Sequence, residues 1–181
     1  KYDNIKKIFQ SLGCKTEYLK KKNIIHNPDI VQNKIERADI IYIGGGDTIK
    51  LKEEVIENGI DNLLRKAYEK GTILVGKSAG AILLCKEGFS DSYIMRGESD
   101  HYQFVEGLGF ETITICPHYK ENERKQEELI EKIKKKKPVV YGIENGIALK
   151  VTNHKIEVIK SIKKNNAYKC QYKNKFLEEN L

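Results

Sequence analysis

The chain has 181 residues, 39% hydrophobic and 33% charged, a balance that supports a folded core and excludes a disordered chain. Its length fits one domain, expected over residues 1–181 and needing neither a disulfide nor a metal to hold together. No apolar stretch approaches the ~18 residues of a membrane span, and the net charge of +7 comes largely from lysine clusters (Lys20 to Lys22, Lys134 to Lys137, Lys163 and Lys164) that lack interleaved aromatics and arginines, which reads as a solvated face and not as a nucleic-acid surface.

Asn4 to Leu12 reads as the end of an amphipathic helix, with Ile5, Ile8, Phe9 and Leu12 on one face and Gly13 as its stop. In an α/β protein a helix here should follow a strand, and that strand is expected before Lys1. A short strand is expected near Thr16 to Leu19 and a helix near Pro28 to Arg37. The apolar run Ile40 to Ile43 then ends in Gly44-Gly45-Gly46, as a buried parallel strand does. Asp47 or Thr48 can cap the following helix, Asn58-Gly59 ends it, and Ile60 to Glu69 makes another.

Thr72 to Val75 is a second buried strand, turning through Gly76-Lys77-Ser78-Ala79-Gly80 into a small-residue helix that ends near Cys85. Gly88 to Gly109 is irregular and polar. Glu111 to Cys116 is a third strand and delivers Pro117-His118-Tyr119; a charged helix, Glu123 to Lys135, follows and Pro138 stops it. Val139 to Ile143, Ile147 to Val151, Lys155 to Ile159 and Tyr168 to Tyr172 read as strands separated by Asn-Gly and Asn-rich turns. The fold class expected is α/β: a three-layer sandwich with a mostly parallel sheet, helices on both faces and antiparallel strands near the C-terminus.

Gly76-Lys77-Ser78-Ala79-Gly80 matches G-x-S-x-G and sits between a strand and a helix, where that pattern has mechanical meaning. Glycine at both ends lets neighbouring backbone pass close, and Ser78 then projects from the carboxyl edge of the sheet. The same stretch also satisfies the P-loop expression G-x-x-x-x-G-K-S from Gly71 to Ser78. A P-loop needs its four middle residues bent around phosphates, and Thr72 to Val75 are β-branched and apolar, so strand is the better reading.

Among the four histidines, His118 ends a buried strand on the rim where Ser78 is expected, whereas His26 and His154 lie in polar turns. A carboxylate should orient its imidazole. Asp91, Glu98, Asp100 and Glu121 are candidates by location, and Asp91 is favoured because it starts the segment leading toward the His118 strand. Gly45 and Gly46 bring bare amides to the same rim and, with the Ala79 amide, could face an oxyanion. The glycine run is not a dinucleotide fingerprint, since Ile49 stands where G-x-G-x-x-G needs its third glycine. Cys14, Cys85, Cys116 and Cys170 lie far apart without C-x-x-C spacing and read as reduced, buried thiols of a cytoplasmic protein.

Gly44 to Thr48, Gly76 to Gly80, Asp91-Ser92 and Cys116 to Tyr119, in this order and spacing, resemble peptidase E, the α-aspartyl dipeptidases, whose relatives include cyanophycinase. The similarity runs from about Ile5 to Val158. It implies a class I glutamine amidotransferase-like fold, Ser78 as nucleophile, His118 as base, Asp91 as charge-relay carboxylate, and no metal or cofactor. It also implies small peptides with an N-terminal aspartate as substrates, with a homodimer left open. A cation should then face the aspartate side chain; Lys77, Arg96, His101 and Arg124 are candidates and none stands out. Two other classes compete: a P-loop-like nucleotide-binding protein, and a non-catalytic binding domain of the same fold.

Overall fold

The computed structural model describes residues 2–19, 24, 26–136 and 138–181. The cluster Lys20 to Lys22, and Lys137 of the cluster Lys134 to Lys137, lie outside the described residues. Helix α1 (Tyr2–Ser11) closes as its glycine predicts: Gly13 takes a φ of 82° and its N–H donates to the Gln10 carbonyl at 3.0 Å. Residues 14–19 form neither helix nor strand, against the expectation near Thr16 to Leu19. No strand ladder takes up that segment. Lys34 of α2 (Pro28–Glu36) holds it, its Nζ reaching Glu17 at 3.0 Å and the Tyr18 carbonyl at 3.3 Å, and Leu19 packs against the cluster that contains Val31 and Ile35.

Strand β1 (Ile40–Ile43) pairs in parallel with β2 (Ile73–Gly76), and helices α3 (Thr48–Glu57) and α4 (Ile60–Lys70) connect them. Asp47 caps α3 through its side chain, accepting from the Ile49 and Lys50 amides. Both strands read as buried from the sequence; their first residues, Ile40 at 40% and Ile73 at 59%, are exposed, and the residues after them are half-buried.

After β2 comes α5 (Ala79–Leu84), which stops at Leu84, where Cys85 takes extended dihedrals and opens β3 (Cys85–Ser90). The segment Gly88 to Gly109, read as irregular, therefore contains the end of β3, the short helix α6 (Ser92–Met95) and β4 (Gln103–Glu106). Strand β5 (Glu111–Pro117) follows, then α7 (Glu123–Lys136), β6 (Val140–Ile143), β7 (Ile147–Thr152), β8 (Lys155–Lys160), β9 (Ala167–Tyr172) and β10 (Phe176–Asn180).

Six strands form one sheet in the order β10-β9-β6-β5-β3-β4, while β7 and β8 make a separate hairpin. The pairs β3–β5 and β5–β6 at its centre are parallel, and the outer pairs are antiparallel. Successive residues of a strand face opposite ways, and β5 is sandwiched accordingly. Ile115 packs with Ile82 of α5, whereas Cys116 packs with Leu129 and Ile133 of α7. A third cluster, built on Val31, Ile35, Val55 and Leu64, packs α2, α3 and α4 onto Ile41, Ile43 and Leu74 of the β1–β2 pair. Helices thus cover both faces of a sheet whose parallel strands run to one edge.

Candidate active site

Parallel pairing carries the site residues to that edge in register. Ile43 of β1 pairs with Gly76 of β2, so Gly45 and Ser78, each two residues further on, emerge side by side. Pro117 of β5 pairs with Ile143 of β6, so His118, one residue further on, and Asn145, two residues further on, emerge close together.

The turn at Ser78 is strained. Its φ of 55° and ψ of −117° lie where a residue with a Cβ costs roughly 1–3 kcal/mol, a strain that persists only where the surroundings enforce it. Enforcement comes from glycines packed against backbone: a Cβ on Gly80 would fall 2.2 Å from the Ile43 carbonyl oxygen, and one on Gly76 would fall 2.4 Å from the Gly80 carbonyl oxygen. Gly45 lies directly against the nucleophile, where its Cβ would sit 2.9 Å from Ser78 Cβ. The glycine loop is fixed in turn by buried hydroxyls. The Thr48 amide donates to Ser92 Oγ at 2.8 Å, and Thr48 Oγ1 and Ser90 Oγ lie 3.0 Å apart.

His118 Nε2 stands 3.0 Å from Ser78 Oγ, and His118 Nδ1 stands 2.6 Å from Asn145 Oδ1. An amide oxygen only accepts, so Nδ1 carries the proton and Nε2 is left to accept from the serine hydroxyl. That is the tautomer a general base needs. A carboxylate is near as well: Glu121 Oε2 lies 3.9 Å from His118 Nδ1. Asp91 lines the same pocket as Ser78 and His118 but is exposed, and the ring nitrogens of His118 face Ser78 and Asn145 instead. The structure therefore does not bring Asp91 to the base as the sequence expectation had it. The β5–β6 register puts Asn145 there.

The pocket around Ser78 has a volume of about 280 Å³ and includes Gly46, Ala79 and Tyr102 in its wall. Lys125 also lines it, a lysine only 7% exposed whose Nζ donates to the Pro117 carbonyl at 2.7 Å and lies 5.5 Å from the Tyr102 ring centroid. A larger groove of about 600 Å³ lies between α3 and β4, without Ser78 or His118. Of the cations considered from sequence, Arg96 is held by Glu98 at 2.6 Å and Glu53 at 3.4 Å, and Arg124 and His101 both reach Glu128. Lys77 is exposed. Glu98, another carboxylate considered for the base, is engaged by Arg96.

Lys125 and Asn145 were not singled out from sequence. Lys125 did carry a signal, since positions 125, 129 and 133 share the buried stripe of α7. Asn145 belongs to an Asn-Gly pair that announced only a turn. The P-loop reading is overturned: Ile73 to Gly76 lie in β2, and the Ile73 and Lys77 amides donate to the Asp39 and Ile43 carbonyls beside β1. Among the described residues no group of three or more His, Cys, Asp or Glu side chains is arranged to hold a metal ion.

Comparison with known proteins places these features in a family. The model of peptidase family S51 matches residues 2–159. An uncharacterized peptidase of Bacillus subtilis, YgaJ, is 36% identical over 113 residues, covering 61% of this chain and 45% of its own length. Peptidase E of Nostoc is 25% identical over 165 residues, covering 87% of this chain and 64% of its own. The chain thus spans less than two thirds of both relatives. Among solved structures, a peptidase from an acI-B1 actinobacterium superposes with a TM-score of 0.63 at 22% identity, covering 90% of this chain and 64% of that one, a likeness of fold. The chain belongs to peptidase family S51.

Proposed function

We propose that this chain is a serine-type peptidase acting on small acidic peptides, with dipeptides bearing an N-terminal aspartate as the first substrates to test. The observation that carries the reading is the 3.0 Å approach of Ser78 Oγ to His118 Nε2 at a strained strand-to-helix turn. Ser78 attacks the scissile carbonyl while His118 takes its proton; the imidazolium, oriented by Asn145, then protonates the departing amine, and water resolves the acyl enzyme. The amides of Ala79, Gly45 and Gly46 are the candidate oxyanion donors; loss of one such donor typically costs ~100 to 1,000-fold.

The pocket's charges suit a small zwitterionic substrate. Lys125 is a buried ammonium with three donors, and the Pro117 carbonyl accepts one. A substrate carboxylate in the pocket would compensate this charge in low dielectric. Asp91 and Glu121 supply negative charge for a peptide amino group. In this reading Asp91 serves substrate and not the base.

The test is hydrolysis of aspartyl-p-nitroanilide beside its alanyl counterpart. Ser78→Ala and His118→Ala are expected to lose at least ~1,000-fold in kcat with circular dichroism unchanged. Lys125→Gln should raise KM for the aspartyl substrate at least tenfold and leave the alanyl one nearly unaffected. Turnover retained in Ser78→Ala rejects the proposal.

A further inference from the structure

The base sits on strained backbone of its own: His118 has a φ of 56° and Lys120 of 64°. Between them Tyr119 is the plug that holds the turn. It is 2% exposed, its N–H donates to the Ile143 carbonyl at 2.9 Å, and its ring lies so close on Gly142 that a Cβ there would fall 2.6 Å from it. Tyr119 Oη donates to Glu178 Oε2 at 2.6 Å, and Lys120 Nζ donates to Glu178 Oε1 at 2.6 Å. Lys120 also lies 3.7 Å from the centroid of the Tyr168 ring. The two residues that follow the base are therefore gripped by one carboxylate whose side chain is 25% exposed.

Glu178 belongs to β10 and Tyr168 to β9, beyond residue 159 where the family match ends. We propose that Glu178 is a positioning residue for the catalytic base: it ties Tyr119 and Lys120 to the C-terminal hairpin and so holds the His118 imidazole within reach of Ser78. The proposal rests on the peptidase reading of Ser78 and His118. Burial first, and the bond to Glu178 second, raise Tyr119 above the ordinary phenol pKa, which keeps its hydroxyl a donor. The other groups at this contact are Gln126, whose Nε2 reaches Tyr119 Oη at 3.4 Å, and Cys170, buried beside it.

The experiment compares wild type, Glu178→Gln, Glu178→Ala, Tyr119→Phe and the double variant Tyr119→Phe/Glu178→Ala on the aspartyl substrate, with circular dichroism as the folding check and Ser78→Ala as the chemical control. Glu178→Ala should lower kcat ~10-fold or more with KM within twofold, and Glu178→Gln, which keeps an acceptor for Tyr119, should lose less. The double variant should be little worse than Glu178→Ala, since the two groups share one contact. If wild type turns over through Ser78 while Glu178→Ala and Glu178→Gln stay within twofold of it, the positioning role is overturned. If wild type has no Ser78-dependent turnover, the peptidase reading is what fails, and Glu178 is then judged by the ring-nitrogen NMR resonances of His118. Unchanged resonances in Glu178→Ala and Glu178→Gln overturn the proposal; shifted ones support it.

Discussion

His118 stands between partners of unequal chemistry. Asn145, 2.6 Å from Nδ1, fixes the ring and its tautomer but brings no charge to the imidazolium formed in catalysis, whereas Glu121, at 3.9 Å, brings charge with poorer geometry. The two roles separate by substitution. Asn145→Ala should lower kcat ~100-fold, because the imidazole loses the acceptor that selects its tautomer, while Glu121→Gln should lower it less than ~10-fold. Equal kcat values for Asn145→Ala and wild type would remove Asn145 from the site. Ser78 and His118 were legible in the sequence because each is announced locally, by glycines around a serine after one strand and by a histidine ending another. Asn145 carried no such mark, since its role comes from the 27 positions of chain that fold it back onto His118.

At the level of elements, the elbow is a contact between strand, turn and helix that tolerates no added atom at certain points. Gly80→Ala would drive a methyl group into the Ile43 carbonyl, so α5 must shift from β1. Overpacking of this kind costs about 2 kcal/mol, and a fall in Tm of roughly 5 °C together with loss of turnover is expected. Gly45→Ala meets the Ser78 side chain and no backbone carbonyl within 3.0 Å, so turnover should suffer far more than Tm. A calorimetric scan beside an activity assay checks both; unchanged Tm in Gly80→Ala would contradict the packing account. The same region exposes what local pattern leaves undecided. Ala79 to Cys85 reads as small and apolar in either a helix or a strand, and α5 yields to β3 at Cys85 because a ladder from β5 on one side and β4 on the other takes up its backbone groups.

For the whole molecule, acid should loosen the join between α7 and the segment entering β4. Glu128, 17% exposed, accepts from Arg124 Nε at 2.8 Å, from the Tyr102 amide at 2.8 Å, and pairs with His101 Nδ1 at 3.2 Å. Burial alone would raise its pKa, but the bonds from Arg124, Tyr102 and His101 outweigh burial and hold it below the ordinary value of 4.5. A carboxyl with a depressed folded pKa contributes stability that is fully present above its unfolded pKa and is lost as pH falls through the folded one. Glu128→Gln should therefore cost about 1 kcal/mol at neutral pH and show a shallower stability loss than wild type below pH 4.5. Parallel denaturation curves for the two proteins across that range would contradict it.

Sequence by itself determined the α/β class, the two parallel-type strands with their glycine turns, the serine elbow and the histidine, because periodicity and turn chemistry act over a few residues. Only the tertiary structure decided which side chains meet. Ser78 and His118 are 40 positions apart, and Tyr119 and Glu178 are 59 apart. Their convergence is a property of strand order and register, which depend on long-range pairing and leave no periodic trace in the chain. Lys125 shows both sides of this: its place on the buried stripe of α7 was written in the spacing, but the pocket it faces exists only once β5 and α5 have packed.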